Sequence, residues 1–147
     1  MHGPSSCPVR TSSRVLCWLW LAAGLLGCQD PTQVRLHLRT DVPYDQGRLV
    51  SFTAAPPDRV EGAEADAVLE TPWGSSGKVG TMVVVPEDDR NGRLGIRIVM
   101  GVTRDPTDCT GQVVDGCIVA RRRLSFLEHR TVELPVGLHA ACEGVQC

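Results

Sequence analysis

Aromatic rings are scarce in this sequence, and lysine is almost absent. The 147 residues hold two Phe, one Tyr and three Trp, and Lys78 is the sole lysine. Beyond residue 28 the rings reduce to Tyr44, Phe52, Trp73 and Phe126. A sugar-binding surface stacks its ligand on exposed rings, and only Trp73, in a Pro-Trp-Gly turn, is a candidate platform; otherwise it plugs the end of a core. No apolar run reaches the roughly 20 residues that cross a bilayer as a helix. Neither HExxH nor GxSxG occurs. Gly77-Lys78 lacks phosphate-loop spacing, with Pro72 where the first glycine is needed and Val79 where a Ser or Thr is needed. Net charge is −2, and the one dense basic run is Arg121-Arg122-Arg123. Phosphate neutralisation needs a basic face, so no nucleic-acid partner is expected.

Hydrophobic content of 42% and charge of 22% suit one globular domain. The first 28 residues read as an address. Arg10 and Arg14 precede the apolar stretch Val15–Leu26, VLCWLWLAAGLL, which runs into Gly27 and Cys28. A basic segment, an apolar segment and small residues at a cleavage point form an export signal. Leu25-Leu26-Gly27-Cys28 resembles a bacterial lipobox. The resemblance implies cleavage between Gly27 and Cys28 and acylation of the Cys28 thiol with diacylglycerol. It often implies a further acyl chain, such as palmitate, on the freed amine. Two or more chains anchor stably where one is marginal. Gln29 follows where an Asp would signal inner-membrane retention, so the outer membrane is expected.

Residues 1–27 are then the leader, 28–32 a lipidated cysteine and tether, 33–141 the domain, and 142–147 a short tail. Export places Cys109, Cys117, Cys142 and Cys147 in an oxidising compartment, where four cysteines suggest two disulfides. Cys109–Cys117 with Cys142–Cys147 is one pairing. If the segments after Cys117 and Thr131 form a hairpin, Cys117–Cys142 with Cys109–Cys147 is the rival. Spacings of C-x7-C and C-x4-C fit zinc poorly. Asp105, Asp108 and Asp115 do not match an EF-hand loop. No metal or cofactor is expected.

Val34-Arg35-Leu36-His37-Leu38-Arg39-Thr40 alternates with period two, as a half-buried strand does. Further strands are predicted over 49–54, 67–71, 78–85, 93–102, 117–127 and 131–138, separated by Pro, Gly and Asp turns. Asn91-Gly92 reads as a hairpin turn. In the fifth strand Leu94, Ile96, Ile98 and Met100 should face inward, and Arg93 and Arg97 outward. Pro135 belongs on an edge strand or at a bulge. About seven short strands without helical periodicity predict an all-β, immunoglobulin-like antiparallel β-sandwich.

Three stretches carry a further resemblance. TQVRLHLRTDVP (32–43), RRRLSFLEHRTVELPVGL (121–138) and CEGVQC (142–147) are similar to the opening strand, closing strand pair and cysteine-rich tail of uncharacterised predicted lipoproteins of deltaproteobacteria such as myxobacteria. That resemblance implies a β-domain on a lipid anchor, and no activity.

Ser125, Glu128 and His129 supply triad residue types, but proximity in sequence is not convergence. Arg121 and Arg123 share one strand face and are candidates for contact with an anionic partner, such as phospholipid headgroups or lipopolysaccharide, against the plainer reading of a solvated strand. The expectation is a non-catalytic, lipid-anchored domain that binds or scaffolds another envelope protein or surface component. The alternative is a ligand-binding or enzymatic module built from the Cys109–Cys117 loop and Trp73.

Overall fold

The computed structural model describes residues 29–45, 48–87, 92–111 and 114–145. The leader, Cys28, the turn at 88–91 and Cys147 lie outside the described residues.

Among the described residues seven strands form two facing sheets. They are β1 (Gln33–Thr40), β2 (Val50–Ala55), β3 (Ala67–Leu69), β4 (Lys78–Val84), β5 (Arg93–Gly101), β6 (Cys117–Ser125) and β7 (Thr131–Leu138). One sheet has the order β4-β1-β7 and the other β3-β2-β5-β6. This is the all-β sandwich that the strand pattern predicts. Helical structure among the described residues is confined to two 3-10 turns, Pro106–Asp108 and Ala140–Cys142. No helix among the described residues is long and apolar enough to cross a membrane.

β1 shows how the sequence builds the core. Its even positions Val34, Leu36 and Leu38 are wholly buried, while Arg35 and His37 on the odd face reach Glu133 of β7 at 2.9 and 2.5 Å. Each buried aliphatic side chain contributes about 1.5–3 kcal/mol. From the facing sheet Val50, Phe52, Ile96, Ile98, Met100 and Ile118 fill the same core, with Val136 and Leu138 of β7. Phe126 is also buried there, as the alternation requires. At the end of β1 the Thr40 hydroxyl donates to the Leu138 carbonyl at 2.6 Å and accepts from the Val42 N–H at 3.0 Å. The Thr40 N–H bonds the Gly77 carbonyl at 2.8 Å. Gly77 has φ +65°, and a Cβ there would overlap the Thr40 carbonyl, so only glycine fits this corner.

The pairing departs from the sequence expectation in three places. β1 and β7 run parallel, whereas every other strand pair is antiparallel. β6 and β7 do not form a hairpin, because the 126–130 link carries the chain from one sheet to the other. Likewise β4 and β5, which flank Asn91-Gly92, belong to different sheets. Short links in a sandwich serve equally as hairpins or as crossovers, and the composition of a turn does not distinguish them. Pro135 sits on β7, an edge strand, where its missing N–H removes no ladder bond on the open side.

Candidate functional site

The four-stranded sheet is covered on both faces. Val99 and Val119 point away from the inter-sheet core, and on that outer face they pack with Cys109, Val114 and Cys117 in a second apolar cluster. The loop after β5 provides this cover. Asp105 caps its 3-10 turn, its Oδ1 accepting from the N–H and hydroxyl of Thr107 at 2.8 and 2.5 Å. The Thr107 hydroxyl and N–H hold the Asp105 carboxyl below its usual value. Cys109 and Cys117 are joined in a disulfide with an S–S distance of 2.01 Å, and both are fully buried. A second loop, after β2, folds over the same face. There Val60 is buried and lies close against Gly95.

Between these loops runs a cleft of about 420 Å³. Ser51 and Thr53 of β2 and Arg97 of β5 contribute to its floor, and Pro106, Thr107 and Thr110 to the disulfide-loop wall. The opposite wall is residues 62–65 with Val68 of β3. Arg97 is outward from the core, as alternation predicts, but it is not solvated: only 4% of it is exposed. One Nη2 N–H donates to the Cys109 carbonyl. Its Nε stands 3.6 Å from Glu61 Oε2 and has no hydrogen-bond partner. Glu61 instead accepts from Arg121 Nε and Nη2 at 2.7 and 3.1 Å. Those bonds, followed by the charges of Arg121, Arg97 and Arg123, hold the Glu61 carboxyl below its usual value. Burial lowers the Arg97 guanidinium from its ordinary value.

The other candidate residues fall apart in space. Trp73 is buried with 6% exposure, donates from Nε1 to the Val42 carbonyl at 2.8 Å, and meets Tyr44 edge-on at 5.0 Å. It is therefore a plug, and the exposed stacking platform is corrected. Trp73 belongs to the inter-sheet core and the disulfide to the outer-face cluster, so a site shared by Trp73 and the Cys109–Cys117 loop does not form. Arg121 is engaged by Glu61, and its Nη2 also donates to the Gly111 carbonyl at 3.3 Å; Arg122 and Arg123 are exposed. The Cys109–Cys117 bond removes the rival Cys117–Cys142 pairing. Cys142 is a half-buried free thiol.

His129 Nε2 lies 3.6 Å from Glu128 Oε1, with Ser125 at the end of β6. Among the described residues no group of three His, Cys, Asp or Glu is placed to hold a metal ion. Sequence reasoning missed Glu61, Ser51, Thr53 and the burial of Arg97. The signal was Val99 and Val119 on outward positions, since a face carrying two valines needs a cover. No family model, curated protein or solved structure matches the chain.

Proposed function

We propose that the protein is a lipid-anchored component of a bacterial cell envelope, whose sandwich binds or scaffolds and performs no chemistry of its own. The observation that carries the reading is the run VLCWLWLAAGLLGC ending at Cys28, followed almost at once by β1 at Gln33. The intervening tether is short and partly fixed. The Thr32 hydroxyl accepts from the His129 N–H at 2.9 Å, and the Gln33 N–H donates to the Arg130 carbonyl at 3.1 Å. A domain held on so little free chain stands with its 126–130 link toward the bilayer. The Cys109–Cys117 disulfide supports residence in an oxidising compartment.

Binding would use the Arg97 cleft, which the Cys109–Cys117 loop helps to wall. That retains the ligand-binding part of the alternative without Trp73. Edge strands β3, β4 and β7 offer a second mode, in which an envelope partner adds a strand.

The test is intact mass after expression of the full chain in a bacterial host, wild type beside Cys28→Ser. The expected mass is residues 28–147 plus acyl chains, lost in the variant. A mature chain without acyl mass would sink the anchor, and an uncleaved chain would sink the leader.

A further inference from the structure

We infer that the cleft over β2 and β5 binds a small ligand bearing a carboxylate, gripped by the guanidinium of Arg97 on its floor. This rests on the binding reading above and is independent of the lipid. Arg97 lines the cleft at 4% exposure, and its Nε–H has no acceptor. The nearest carboxylate, Glu61, is 3.6 Å away, with both oxygens turned to Arg121 at 2.7 and 3.1 Å. Two guanidinium groups, those of Arg97 and Arg121, stand within 4 Å of that single carboxylate, so their charge exceeds its own. Glu61 is not part of the cleft lining, and Glu64, the acid that is, is exposed and makes no ion pair with Arg97. A buried cation with an idle donor is costly until an acceptor arrives.

The guanidinium fork fits a planar carboxylate better than a point acceptor. Hydroxyl-bearing Ser51, Thr53, Thr107 and Thr110 border the same space and suit further oxygens of the ligand. Ala63, Val68 and Pro106 give apolar sides, which favour a short apolar body behind the acid group. The volume, about 420 Å³, lies in the range of roughly 300–1,000 Å³ that small-molecule sites occupy.

The experiment is a titration of the purified full-chain product, followed by 1H–15N spectra that include arginine Nε–H groups. The probes are sodium acetate, acetamide as its neutral counterpart, and inorganic phosphate, all at constant ionic strength. Acetate should shift the Arg97 Nε–H signal and the backbone amides of Ala63 and Thr107 saturably, with a midpoint on the order of millimolar. Acetamide should do so at least about tenfold more weakly, because charge-assisted bonds are the stronger ones. Arg97→Lys keeps the charge but loses the fork, and should weaken acetate about tenfold. Gly62→Val guards against misfolding in that variant. An added Cβ at Gly62 meets nothing within 4 Å, so the fold should persist while the cleft narrows and acetate binding falls.

Acetamide binding as well as acetate would overturn the carboxylate assignment and leave the binding reading standing. Phosphate binding more tightly than acetate would overturn the assignment in favour of a tetrahedral anion. Silence of all three probes at the Arg97 signal would overturn the inference and remove the cleft from the binding reading.

Discussion

Replacing Cys109 and Cys117 by alanine together tests whether the outer-face loop is held by covalent closure or by its packing. The bond spans a sequence separation of 8. Closing so short a loop removes unfolded-chain entropy worth about 2.6 kcal/mol at 25 °C. Both sulfurs are 0% exposed among Val99, Val114 and Val119, and truncating each to a methyl adds about 1 kcal/mol. The sum is about 4–5 kcal/mol. A domain of roughly 120 residues has an unfolding entropy near 0.25 kcal/mol per kelvin, so Tm should fall by about 15–20 °C. Calorimetry of the full-chain variant reads the shift, and hydrogen exchange locates it. Exchange should accelerate across 102–116 well before it does in β1 or β5, because the bond ties down only its own loop. A Tm loss below about 5 °C, with exchange over 102–116 unchanged, would refute the reasoning. The loop would then be held by the Arg97 bond to the Cys109 carbonyl and the Cys109 N–H bond to Pro106.

Trp73→Phe removes the donor to the Val42 carbonyl and leaves a buried acceptor unpaired, which should destabilise the fold by about 1–3 kcal/mol in denaturant melts. An unchanged midpoint would mean that the bond contributes nothing. Acid should also weaken the fold. Asp41 is held low by the Ala140 N–H and then His139, despite an opposing effect of desolvation, Glu61 by Arg121, and Asp105 by Thr107. Each folded carboxyl titrates below its unfolded counterpart, so its contribution is complete above the ordinary carboxylate range and is lost as pH falls through the folded values. Tm should therefore hold down to about pH 5 and decline below about pH 4.5, with Glu61→Gln showing a shallower decline. A wild-type Tm that stays flat into strong acid would show that these carboxylates do not couple to folding.

Strand positions were legible because burial on one face writes a period of two into the chain. The segments expected over 78–85 and 131–138 differ from β4 and β7 by at most a residue, and the inward set Leu94, Ile96, Ile98 and Met100 is the buried set of β5. Partnership was not legible. β7 lies parallel to β1 through all eight of its residues, from Gln33↔Thr131 to Thr40↔Leu138. Nothing in either strand records which neighbour it takes or in which direction, since both orientations bury the same side chains. The supposed hairpins at Asn91-Gly92 and at 126–130 failed for this reason. Turn chemistry fixes the bend of the chain, whereas the sheet that each strand joins is decided by contacts dozens of residues away.

The site was harder still, because it depends on the loops as well as on strand alternation. Arg97 reads as a solvent-facing residue when β5 is considered alone. Its burial follows only when the loops after β2 and β5 both fold over the outer face. Those loops have reasons of their own: Val60 against Gly95 on one side, and the disulfide on Val99 and Val119 on the other. Once they are down, a cation that water would have solvated is enclosed between two covers. Glu61 arrives with one of them but gives both oxygens to Arg121. A well-packed structural arginine would have its donors matched, as the buried polar groups of folded proteins nearly always are. Arg48 Nε is unmatched too, but that side chain is half-buried, whereas Arg97 joins an unmatched Nε to 4% exposure beside a cleft with room for an acceptor.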